Sequence, residues 1–204
     1  MRKQSDRRSV LQVELREFDP VGNAQLHAIR AAAQAIKAAR RTVVVSSGSG
    51  TGPAHVLGYL GTIMGCDIQL ALGSSTGQAA QVARLQEGDC LVVLNIWRLT
   101  RAIRGLARVG RERGATVCVL TDLRSSPLAD DAHHLIATPI EGIQAGPSLT
   151  AMVAAVQAIL AEMADDDSAR VRRRPEGVER PRPHGRPALG RVFRIAPSHR
   201  PTWR

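Results

Sequence analysis

Four β-formers, Thr42 to Val45, run directly into the turn SSGSGTG at residues 46–52. This junction constrains the chain more than any other stretch. An unbroken β-branched run suits a strand buried on both faces of a sheet. Gly48, Gly50 and Gly52 admit backbone angles that other residues resist. Ser46, Ser47, Ser49 and Thr51 bring hydroxyls to the same turn, and Pro53 suits the opening of a following helix. A strand, a tight hydroxyl-rich turn and a helix N-terminus together make a ready anion site. The ligand expected there is a phosphate or a phosphorylated small molecule.

The rest of the chain repeats the alternation. Residues 23–40 are Ala-rich, with Leu26, Ile29, Ala33 and Ile36 at helical spacing. A strand is expected over 42–47, a helix over 53–65, a strand over 67–72 and a short helix over 77–86. Residues 90–95 (CLVVLN) read as a strand buried on both faces, and 100–113 as a basic amphipathic helix. Strands over 116–121 and 134–137 precede a helix over 148–164, with Ser148 as its N-cap. This order predicts an α/β chain. Its form is a three-layer αβα sandwich with a five-stranded parallel, flavodoxin-like sheet. In such sheets the ligand lies beyond the carboxyl ends of the strands. The polar turns at 46–52, 73–77, 95–100 and 122–127 all fall there.

A hydrophobic content of 44% in 204 residues supports one folded domain, but aromatics are only 2%, so Ala, Val, Leu and Ile must build its core. No apolar run is long enough to cross a bilayer, and the charged N-terminus has no secretory pattern, so a cytoplasmic protein is expected. Cys66, Cys90 and Cys118 are far apart in apolar surroundings and read as buried thiols. Charge is uneven. Residues 1–164 carry 17 Lys/Arg against 13 Asp/Glu, and residues 165–204 carry 11 against 5. The division expected is an N-terminal arm over 1–20, a domain over 21–164 and a basic Arg/Pro-rich disordered tail over 165–204. Asp165, Asp166 and Asp167 are expected to end the last helix.

Three pieces carry a resemblance to a known family: AIKAARRTVVVSSGSGTGPA, QEGDCLVVLNIWRLTRAIRGLARVGRERGATVCVLTD, and LRSSPLADDAHHLIATPI with the helix after Ser148. Over about 140 residues the pattern resembles the sugar isomerase (SIS) domain. It looks most like the effector-binding half of RpiR-type transcription regulators. SIS domains commonly carry a Ser-x-Ser-Gly-x-Thr loop after the third strand, which holds a sugar phosphate. The matching positions are Asn95, Ile96, Trp97, Arg98, Leu99 and Thr100, and only Thr100 is kept. Some RpiR-type domains also carry Arg at the position of Arg98. The resemblance implies a non-catalytic binding variant, a homodimer with residues 31–39 as candidate contacts, and no cofactor. Only about 40 residues precede the first strand, too few for a helix-turn-helix domain as well.

The expected ligand-binding residues are Ser47, Gly48, Ser49, Gly50, Thr51, Ser74, Ser75, Asn95, Trp97, Arg98 and Thr100. Arg98 would clamp an anion and Trp97 would stack on a sugar face. Asp122 reads either as a ligand contact or as the cap of a turn. Arg101, Arg104 and Arg108 recur at helical spacing and read as a solvated face. His133 and His134 lack companions at metal spacing, so no metal is expected. Two other readings stand beside the first. One is an aldose-ketose sugar-phosphate isomerase using His55 or Glu141 as its base. The other is a DNA-associated fragment acting through the basic tail.

Overall fold

A computed structural model describes residues 23–140 and 147–172, with side chains placed over 25–140 and 147–164. Helix α1 (Asn23–Ala38) leads into β1 (Thr42–Ser46), a 3-10 turn (Gly48–Gly50) and α2 (Thr51–Ile63). Strand β2 (Ile68–Ala71), α3 (Ser75–Val82), β3 (Cys90–Asn95), α4 (Arg101–Glu112) and β4 (Thr116–Thr121) follow. A second 3-10 turn (Ala129–Asp131), β5 (His134–Ala137) and α5 (Thr150–Arg172) complete the described chain. All neighbouring strands pair in parallel, in the order β2-β1-β3-β4-β5. This is the expected flavodoxin-like order, and its switch point lies between β1 and β3.

Strand residues alternate between two cores, one on each side of the sheet. Val44, Val92, Leu94, Leu120 and Ile136 pack with Ile29 and Ile36 of α1, Leu57 of α2, and Met152 and Ile159 of α5. Val43, Val45, Leu91, Val93, Val117 and Val119 face the other way, against Val82 of α3 and Ile103, Leu106 and Ala107 of α4. The scarcity of aromatics is met by close approach. A Cβ on Gly58 would come within 2.7 Å of Leu70 Cδ2, and one on Gly110 would strike Leu91. Small residues on the helices let the sheet side chains fill the layer.

Local caps move several boundaries from their expected places. α2 starts at Thr51, because the chain is already turning at Gly48–Gly50; Pro53 then sits in the first turn, where its missing N–H costs nothing. α3 occupies Ser75–Val82, not 77–86, because Ser74 Oγ accepts the Gly77 N–H at 3.2 Å and starts the helix early. α5 begins at Thr150. The Leu149 carbonyl accepts the first helical N–H, from Val153 at 2.9 Å, while Ser148 Oγ, the expected cap, accepts the Thr150 N–H at 3.3 Å. The same helix runs through Asp165, Asp166 and Asp167 to Arg172. Aspartate is a poor helix former but no breaker, and the next breaker is Pro175. Glu141 and residues 173–204, including most of the expected tail, lie outside the described residues.

His133 gives the fold a pH dependence. Its Nδ1 accepts the Val117 N–H at 2.9 Å, which requires an unprotonated nitrogen there. Burial, then the Arg111 charge, lower its pKa from the ordinary 6.5. The unfolded chain therefore takes up the proton first as pH falls. No stability is lost above the ordinary value, and stability declines as pH drops from 6.5 toward the lower folded value. His134 adds a change of the same sign, since burial, His133 and His27 lower its pKa too. In His133→Asn the amide oxygen accepts the same N–H and cannot titrate. The melting-temperature drop between pH 7.5 and pH 5.5 should shrink in that variant, and an unchanged profile would clear His133 as a source of it.

Candidate functional site

Parallel pairing places the carboxyl ends of four strands side by side. Val45 pairs with Ala71, Ser46 with Leu94, and Asn95 with Thr121. The turns after β1, β2, β3 and β4 therefore leave along one rim. Hydrogen bonds stitch them together. Gln78, 4% exposed, reaches from α3 to donate to the Ser46 carbonyl at 2.9 Å and the Gly73 carbonyl at 3.3 Å. Ser46 Oγ donates across to the Leu94 carbonyl at 2.8 Å. Trp97 N–H donates to Asp122 Oδ2 at 3.0 Å, joining the turns after β3 and β4. Ser46 and Gln78 were not among the expected site residues. Their partners are backbone carbonyls that no local pattern announces.

At the switch point the β1 turn is built for close approach. Ser47 is extended, and Gly48 is left-handed at φ 58°, with open space where a Cβ would stand. Gly50 is buried beneath the turn; a Cβ there would lie 2.5 Å from Ser46 Oγ and 3.3 Å from the Leu94 carbonyl oxygen. Ser49 and Gly52 are exposed, and Ser47 is half-buried. Thr51 Oγ1 donates to the Gly48 carbonyl at 2.8 Å, so its proton is held by the turn while its lone pairs are not. After β2, Ser74 caps α3 and Ser75 is exposed in that helix's first turn.

Across the switch point, Asn95 ends β3 and is 3% exposed. Trp97 has φ 67°, the one left-handed non-glycine among the described residues. The Arg98 N–H returns to the Ile96 carbonyl at 2.8 Å. This i to i+2 bond around a positive φ is the rare, strained γ-turn. Such geometry costs about 1–3 kcal/mol and persists only where neighbours hold it. Asp122 is the holder, itself fixed by Thr121 Oγ1 at 3.1 Å to Oδ1. The turn throws the indole outward, 60% exposed, and the Arg98 guanidinium lies 5.2 Å from its ring centroid. Thr100 Oγ1 accepts the Ile103 N–H at 3.2 Å and so caps α4. Asp122 is the only carboxylate in these four turns. His55, a turn into α2, is exposed.

The rim thus sets exposed hydroxyls and a glycine-rich helix entry on one side of the switch point. A flat aromatic face with a guanidinium stands on the other. Hydroxyls, amides and guanidinium suit an anion, and the indole suits a sugar face.

Residues 70–162 match the family model of the SIS domain. No curated protein sequence matches the chain. The sugar isomerase domain of an RpiR transcription factor from Sphaerobacter thermophilus is 26% identical, with a TM-score of 0.73 over 79% of this chain and 91% of that one. NanR from Vibrio vulnificus, complexed with ManNAc-6P, is 15% identical with a TM-score of 0.66 over 82% and 67%. A Methanococcus jannaschii protein, whose structure was used to infer a 3-hexulose-6-phosphate isomerase, shares the fold at 11% identity and a TM-score of 0.59 over 83% and 98%. The strand order and the matched residues agree: over residues 70–162 the chain is similar to the SIS domain.

Proposed function

We propose that the chain binds a phosphorylated sugar at this rim without transforming it, as the sensor domain (residues 21–164) of an RpiR-type regulator. One observation carries the reading: the left-handed Gly48 turn and the Trp97–Arg98 turn leave the paired carboxyl ends of β1 and β3, on either side of the switch point. In this reading Ser47, Ser49, Thr51 and the amides of the β1 turn take the phosphate. Ser74, Ser75, Asn95 and Thr100 add polar contacts, Trp97 covers a face of the sugar, and Arg98 neutralises charge. Support comes from NanR, which holds ManNAc-6P, and from the RpiR domain at 26% identity. Absence of turnover is supported by the chemistry of the turns. Moving a proton between sugar carbons needs a free base. The carboxylate of the four turns, Asp122, accepts from Trp97 N–H and Thr121 Oγ1, so a base for turnover would have to come from outside them, from His55 or Glu141. The reading includes a homodimer; of the expected contact stretch 31–39, Ala32, Ala33 and Ile36 are buried in the domain's own core, which leaves Ala31, Gln34, Ala35, Lys37, Ala38 and Ala39 for a partner.

A thermal-shift series of sugar phosphates tests this, because a ligand specific for the folded state raises the melting temperature. At least one hexose or hexosamine phosphate should produce a shift. Arg98→Ala should weaken its binding about tenfold or more, the value of a charge-assisted hydrogen bond. It should leave the melting temperature without ligand unchanged. A full shift in Arg98→Ala would remove Arg98 from the site. Turnover of the bound sugar phosphate would overturn the non-catalytic reading.

A further inference from the structure

Residues 98–113 hold six Arg against one Glu, a net +5, while residues 1–164 as a whole carry 17 Lys/Arg against 13 Asp/Glu, or +4. The cationic excess of that whole stretch thus lies on one helix and its flanks. α4 turns Ile103, Leu106, Ala107 and Gly110 into the sheet and leaves Arg101, Arg104, Arg108 and Arg111 outside. Spacings of three and four residues align the first three arginines in one stripe about 10 Å long. With Gly105 they line an open groove of about 340 Å³. Ion pairs among the described residues join Arg30 to Glu162 and Arg40 and Arg41 to Asp89; none uses an arginine of this stripe. Like charges at this spacing repel and destabilise a helix. The first turn of α4 carries no acidic residue to offset them. Glu112, at the far end, is the one acid on the helix.

We propose that the outer face of α4 is a contact surface for the phosphodiester backbone of a nucleic acid. The arginine fork matches phosphate geometry, and the stripe presents arginine without lysine. Its composition separates it from other anionic partners. A membrane-bound helix buries its apolar face in lipid, but the apolar face of α4 is already against the sheet. A protein partner would need anchoring side chains, and between the arginines stand only Ala102 and Gly105. Gly105 has open space where a Cβ would be, so a phosphate chain can approach the helix closely. Contacts to the backbone alone give binding without sequence preference. Arg98, counted in that excess, belongs to the rim; the stripe of Arg101, Arg104 and Arg108 starts one residue after Thr100 and runs along α4 away from it.

The test uses the full chain and a fluorescent 20-base-pair duplex, with anisotropy titrations between 50 and 200 mM salt. Replacing Arg101, Arg104 and Arg108 by Gln should lower the slope of log K against log salt by about 3, near one unit per lost phosphate contact. Replacing only Arg101 and Arg108 should lower it by about 2. Replacing all three by Lys should keep the parent slope. The basic residues of 165–204 are present in every variant, so their contribution cancels. The positions are exposed and mutually repelling, so the Gln variants should melt no lower than the parent. A parent slope retained by both Gln variants would overturn the proposal. So would polyglutamate or anionic phosphatidylserine vesicles competing as well as unlabelled duplex at equal charge.

Discussion

Asp89→Ala should destabilise the chain by about 3 kcal/mol, the cost of breaking a buried charge pair on one side. For a chain of this size that is a fall of about 6–12 °C in melting temperature. The Asp89 side chain is 0% exposed at the amino-terminal end of the sheet, opposite the candidate site. Its Oδ2 accepts the Gln86 N–H at 3.0 Å and Arg40 Nη2 at 3.0 Å, with Arg41 Nη2 at 3.5 Å. Oδ1 lies 2.9 Å from Arg40 Nη2, a charge contact that makes no hydrogen bond. The two arginines do not count equally. Arg40 is 58% exposed and its pairing is screened by water, whereas Arg41 is 11% exposed and would be left as a nearly buried cation without a counter-charge. Asp89→Asn keeps an acceptor for the Gln86 N–H, so it should lose less than Asp89→Ala. Adding Arg41→Met to Asp89→Ala should restore part of the loss, because the orphaned cation is its main source. A loss below about 1 kcal/mol in Asp89→Ala, measured by urea unfolding, would show that the carboxylate is not holding this edge.

Which parts of this molecule were legible in its sequence follows from the range of the interactions that fix them. β1, β3 and β4 stand out because TVVV, CLVVLN and TVCVLT are continuous apolar runs that only a buried parallel strand accommodates. α4 is equally plain, since its buried residues recur at one helical spacing. The ends of α3 and α5 depend on single caps, and several residues near each end can play that part. The rim itself is legible from topology, because a parallel sheet must send every carboxyl end to the same edge. What assembles the rim is not. Gln78 bonds a carbonyl 32 residues away and Ser46 one 48 residues away. The left-handed turn at Trp97 runs against every local preference of a bulky side chain, and it stands because Asp122, 25 residues on, holds its amide. From sequence alone, Asp122 reads as a ligand contact or as a cap for its own turn. In the fold it positions a residue of the neighbouring one.

Gly50→Ala should cost about 2 kcal/mol and remove the sugar-phosphate-dependent thermal shift altogether. The sign of the stability change is informative. Gly50 has φ −65° and ψ −13°, a helical conformation in which alanine is ordinarily the better residue by up to about 1 kcal/mol. Backbone preference alone therefore predicts stabilisation. Sterics predict the reverse, because the new Cβ would stand 2.5 Å from Ser46 Oγ and 3.3 Å from the Leu94 carbonyl oxygen. The carbonyl belongs to the central strand and cannot retreat. Either Ser46 Oγ abandons its 2.8 Å bond to that carbonyl, or the β1 turn lifts away from the switch point. Both outcomes move Ser47, Ser49 and Thr51 relative to Trp97 and Arg98. Ser46→Ala alone should cost about 1 kcal/mol for the lost hydrogen bond. Combined with Gly50→Ala it clears the nearer clash, so the double variant should be more stable than the two single losses add up to, by about 1 kcal/mol. Strict additivity, or a Gly50→Ala chain that melts above the parent, would mean that the turn does not rest on the β1/β3 junction as described. With ligand, partial recovery of the shift in the double variant would tie the seating of this turn directly to the capture of the sugar phosphate.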